Sequence, residues 1–77
     1  MKQQLAKHPR RIASNEVVTT EGQCLTRYVV ELSEDATVSD LYPLTQEMAH
    51  TEWMQGRLIL KNENGHTRVY YNNKVIS

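Results

Sequence analysis

Hydrophobic positions keep two different rhythms along this chain. Over residues 10–32 and again over 57–72, β-branched and aliphatic residues alternate with polar ones, the period of a half-buried strand. Between them, from Asp35 to Trp53, apolar residues recur at helical spacing. In the first region Ile12, Val17, Val18, Thr19 and Thr20 predict a strand, clearest from Glu16 to Thr20, and residues 23–32 predict its partner. Glu21-Gly22 reads as a two-residue turn between them, with glycine free to take positive φ. That register sets Glu16 opposite Arg27, a pair worth a few tenths of a kcal/mol. Cys24, Thr26, Tyr28, Val30 and Leu32 then share one face, and Ala13, Val17, Tyr28 and Val30 are expected to point inward.

In the middle segment Asp40 is the expected helix N-cap, which puts Pro43 in the first turn, where its missing N–H costs no intrahelical bond. Leu41, Leu44 and Met48 then form one apolar stripe that should lie on the sheet, and the helix should stop before Gly56. The second alternating region is better marked. Asn64-Gly65 is a type I′ hairpin signal. It pairs Glu63 with His66, Lys61 with Arg68, Leu60 with Val69, Ile59 with Tyr70 and Leu58 with Tyr71. Leu58, Leu60, Val69 and Tyr71 make the inward face. The tail from Asn73 holds Val75 and Ile76, enough for a short edge strand.

Hairpin, helix, hairpin predicts an α+β domain, ββαββ, with four strands and one helix packed across one face. The same element order is shared by β-grasp, ubiquitin-like folds, in which the first and third strands are parallel neighbours. That likeness is one of order alone and implies no activity.

Composition limits what such a domain can do. Seventy-seven residues make one small domain with a thin core. The lone Cys24 leaves no internal disulfide to support it, so self-association is an expected source of stability. The net charge is zero but unevenly spread. Lys2, Lys7, Arg10 and Arg11 lie among the first fifteen residues without an acid, whereas the remainder carries five bases and nine acids. Residues 1–9 read as a flexible basic arm and 10–77 as the folded domain, with Lys2, Lys7, Arg10 and Arg11 as candidate anion contacts. No apolar stretch approaches the length of a membrane span or a secretory signal, and one unpaired cysteine suits a reducing compartment. A cytoplasmic location is expected.

Catalytic chemistry finds little support. Cys24, in a strand and in neutral surroundings, reads as a small core residue rather than a nucleophile. His8, His50 and His66 are scattered, and no His/Cys spacing suits a metal. The glycines, Gly22, Gly56 and Gly65, sit at expected turns and form no phosphate loop. Glu34-Asp35 reads as a solvated turn. No catalytic residue, metal ligand, cofactor or small-molecule substrate is therefore assigned.

Surfaces remain as the candidates. The outward face of the second hairpin gathers Arg57, Ile59, Lys61, His66, Arg68 and Tyr70. Basic groups around an aromatic could hold phosphates and stack a base, and Lys61 opposite Arg68 is a like-charge pair that an anion would relieve. Trp53 and Met54 at the helix end, with Val75 and Ile76 in the tail, are residue types and places suited to protein contact. The sequence thus points to a non-enzymatic interaction module that docks a protein, itself included, through its open sheet face or edge. The alternative is a nucleic-acid-binding accessory protein that uses the arm and the basic face.

Overall fold

The computed structural model describes residues 10–46 and 50–76, and all of its regular structure is strand. Six strands follow in order: β1 (Arg10–Val18), β2 (Cys24–Leu32), β3 (Val38–Pro43), β4 (Thr51–Glu63), β5 (His66–Tyr71) and β6 (Lys74–Val75). They form a single mixed sheet of order β3-β2-β1-β4-β5-β6, in which β1 and β4 run parallel and every other pair is antiparallel.

This corrects the expected fold class. Among the described residues there is no helix, so neither ββαββ nor the β-grasp alternative stands. The parallel neighbours are present, but no helix is packed across them. The expected N-cap Asp40 and the stripe residue Leu41 lie in β3 instead, while Met48 lies outside the described residues, as does the 1–9 arm. Pro43 explains the outcome. Proline disfavours helical backbone at the residue before it, here Tyr42. At the end of an edge strand it leaves no ladder bond unmade. The tight turn ahead of β3 fixes its direction: Asp35 Oδ1 accepts from the Thr37 N–H at 3.1 Å and the Ser33 hydroxyl at 2.6 Å.

The second hairpin forms as the sequence predicts. Ile59, Leu60, Lys61 and Glu63 oppose Tyr70, Val69, Arg68 and His66. Asn64 and Gly65 both take positive φ, at 54° and 81°, as a type I′ turn requires. The first hairpin is displaced by one residue. Its loop runs from residue 19 to 23, Val18 opposes Cys24, and Glu16 opposes Thr26 rather than Arg27. Cys24 is accordingly exposed, not part of the core.

The core lies on one side of the sheet, built from buried Ile12, Val17, Val30, Leu32, Leu58, Leu60 and Val69. Its membership shows a break in the strands. Ile12 and Val17 both point inward although five positions separate them, and so do Leu25 and Tyr28, three apart. Regular alternation forbids both. Alternation is lost at Asn15 in β1 and at Arg27 in β2, which has φ of 56°. Opposite them β4 carries an extra residue: Ser14 pairs with Met54, but Glu16 pairs with Arg57.

This bulge at Gln55 and Gly56 is held from three sides. The buried Ser14 hydroxyl donates to the Gly56 carbonyl at 2.9 Å, Asn15 Oδ1 accepts from the Gly56 N–H at 2.9 Å, and the Tyr71 hydroxyl donates to the Gln55 carbonyl at 2.7 Å. Gly56 has φ of +112°, which explains a glycine inside a strand. Bulges increase twist, and the sheet curls until β3 and β5 touch across the core. Arg68 Nη1 closes that approach by donating to the Asp35 carbonyl at 2.9 Å.

Candidate docking site

The irregular row of Asn15, Arg27 and Gly56 has its largest effect on the sheet face away from the core. Ala13 and Val29 oppose one another there and are buried. Trp53 pairs with Ala13 across the parallel seam and remains 49% exposed. After β3 the chain continues along β2, where the Leu44 N–H donates to the Arg27 carbonyl at 2.9 Å. Leu44 and Arg27 thereby stand side by side. With Ala13, Thr51 and Trp53, and the following Thr45 and Gln46, they line a cleft of about 540 Å³. Arg27 also borders a shallower depression on its other side, with Asn15, Glu16, Thr26, Gly56 and Arg57. One side chain therefore stands between two concavities.

Beside the cleft, Arg11 Nε donates to Glu31 Oε2 at 3.2 Å, and the Tyr42 hydroxyl donates to the same carboxylate. The Tyr42 bond, then the Arg11 charge, holds the Glu31 carboxyl below its ordinary range. Burial, then Glu31, pushes the Tyr42 phenol up. The group thus keeps one negative and one positive charge matched, and it fixes the wall along which β3 meets β2.

The expected basic face is assembled by β4 and β5, with Ile59 opposite Tyr70 and Lys61 opposite Arg68. Its cations are occupied from within. Arg57 Nε donates to Glu16 Oε1 at 3.0 Å, Lys61 Nζ lies 4.7 Å from the Tyr70 ring centroid, and Arg68 reaches the Asp35 carbonyl. The Tyr70 hydroxyl donates to Glu63, which raises its pKa. His66 is exposed at the hairpin end.

The four expected interface residues separate. Trp53 faces outward, whereas its neighbour Met54 packs on the core. Val75 is 43% exposed on β6, and Ile76 packs inward, its N–H donating to the Val69 carbonyl at 2.9 Å.

Of the candidate arm, Lys2 and Lys7 lie outside the described residues. Arg10 and Arg11 belong to β1, where Arg10 makes two bonds of 2.9 Å to the Glu52 carboxylate. The Arg10 bond lowers the Glu52 pKa.

Arg27, Asn15 and Leu44 were not marked as site residues by the sequence. Gly56 is the one signal of the bulge in the sequence, and only its place inside β4, rather than at a helix end, gives it that meaning. Nothing in the sequence marks Arg27 for positive φ, a conformation that glycine and asparagine favour.

Compared with known proteins, the chain matches no family, no curated protein and no solved structure. Among the described residues no helix is long and apolar enough to cross a membrane.

Proposed function

We propose that this protein is a non-enzymatic interaction module that docks a protein partner through the sheet face around Trp53. One observation carries the reading: the chain's only tryptophan stands half-exposed at the mouth of a cleft instead of in the core. Burying a tryptophan is among the most favourable contributions an interface can gain, and such anchors sit beside pockets that exclude water. Bulges and strained backbone also gather where a strand re-aims a side chain for use.

Nucleic-acid binding has weaker support, because Arg57, Lys61 and Arg68 each already have an internal contact. The exposed, lone Cys24 suits a reducing compartment, and we place the module in the cytoplasm.

The test uses nuclease-treated extract of the native host. Wild-type protein should retain a partner that Trp53→Thr does not, with both proteins melting alike. Equal retention by the two proteins would refute the role of this face. Sedimentation over a concentration series shows whether the partner is a second copy.

A further inference from the structure

We infer that the Trp53 cleft takes an acidic segment of a partner protein, with a partner carboxylate on Arg27 and a neighbouring apolar side chain against Trp53 and Leu44. This rests on the docking function proposed above and adds the chemistry of the occupant.

Arg27 differs from the other arginines of the sheet. Arg10, Arg11 and Arg57 are each paired with a carboxylate, and Arg68 with a backbone carbonyl. Arg27 is exposed and has neither kind of bond among the described residues. Among the described residues no acid lines this cleft, where the other polar groups are Thr45, Gln46 and Thr51; Glu16, on the far side of Arg27, is bonded to Arg57. The fold also holds Arg27 at φ of 56°, which costs a side-chain-bearing residue on the order of 1 kcal/mol. Glycine or asparagine would fit that backbone better, so a guanidinium at this position carries a local conformational cost.

A guanidinium and an indole that line one cleft suit a carboxylate flanked by an apolar group. The planar fork binds both carboxylate oxygens, and the ring covers hydrocarbon. Charge also selects among occupants. Residues 1–9 of this chain contain Lys2 and Lys7 and no acid, so they would bring like charge to Arg27. Among the described residues of a second copy, Glu21 and Glu34 lie on tight turns, and the other exposed acids are engaged within the chain: Asp35 by Ser33 and Thr37, Asp40 by the Leu41 N–H and Glu52 by Arg10.

Short random peptides displayed on phage and panned against the full chain provide the test. Enriched sequences should place Asp or Glu next to an aromatic or aliphatic residue, and their synthetic forms should shift the emission of Trp53. Replacing the peptide's acid by its amide, or Arg27→Gln in the protein, should weaken binding by about tenfold or more, and Arg27→Lys should restore part of it. Peptides that shift Trp53 emission without acidic enrichment, and bind Arg27→Gln equally well, would overturn the acidic occupant and leave the docking face standing. Peptides that bind Trp53→Thr unchanged, or an empty selection, would count against both. Self-association lost in Arg27→Gln would make the occupant a second copy and overturn the inference.

Discussion

Gly56→Ala tests the strand irregularity on which the outer face depends. Gly56 has φ of +112°, where a side chain strains the backbone, yet a Cβ built there meets nothing within 4 Å. The substitution therefore contains almost no steric clash, and its cost is that of the backbone conformation, about 1–3 kcal/mol. Alanine also restricts the unfolded chain, which returns about 0.4–1 kcal/mol. The two terms leave a net loss centred on about 1.3 kcal/mol and no greater than about 2.6 kcal/mol. In a domain of this size that lowers Tm by about 5–15 °C, and urea melts at constant m-value measure it directly.

The bulge has a second handle in Ser14, whose buried hydroxyl donates to the Gly56 carbonyl at 2.9 Å. Ser14→Ala alone should cost about 0.5–1.5 kcal/mol. If Gly56→Ala already unhooks the bulge, the second substitution costs less in its presence. A double-mutant cycle should then show a coupling of at least about 0.5 kcal/mol. A Gly56→Ala protein as stable as wild type, or costs that add in full, would refute the reading of this row as one mechanical unit.

Two further outcomes follow from the core and the turn. Leu58 is fully buried, and Leu58→Ala should cost about 2–5 kcal/mol of a total near 4–12 kcal/mol for a chain this long; a denaturant melt showing less than about 1 kcal/mol would mean β4 presents its other face. The Ser33 hydroxyl and the Thr37 N–H hold the Asp35 carboxyl down at about 2, below its ordinary value of 3.8. The unfolded chain therefore binds the proton first, so the stability that Asp35 contributes is present above about pH 4 and is lost as pH falls towards 2. Asp35→Asn keeps an oxygen for both donors and should flatten that part of the acid limb. Stability curves of the two proteins that run parallel below pH 4 would exclude the contribution.

The hairpin around Asn64-Gly65 was legible because local chemistry decides it: one dipeptide sets the turn, and alternation sets the faces. The first hairpin was half legible. Its two strands form, but Gly22 belongs to a five-residue loop rather than a two-residue turn, and the register is one residue from that expected, with Cys24 exposed. The helix expected from Leu41, Leu44 and Met48 does not form at Leu41: placing Pro43 in a first turn satisfies its missing N–H but not its exclusion of helical backbone at Tyr42, and both residues lie in β3. Trp53 was marked as an interface residue from its type, but its setting was not visible. That setting depends on Ala13, Arg27 and Leu44, which the pairing of β1 with β2 and β4 and the run of the chain after β3 along β2 bring together.

The parallel seam between β1 and β4 also bears on how the chain reaches this state. Val18 and Cys24, or Glu63 and His66, meet after closing a few residues of chain, but Arg11 meets Thr51 only when the whole intervening stretch is folded back. Hairpins close in microseconds, whereas pairings of high sequence separation must first meet the entropy of a long loop. The two hairpins therefore form early and reversibly, and their docking along β1 and β4 is the slow step. Until that step is complete, Ala13 and Trp53 are not side by side, so a nascent chain has its hairpins before it has the outer face of the finished sheet.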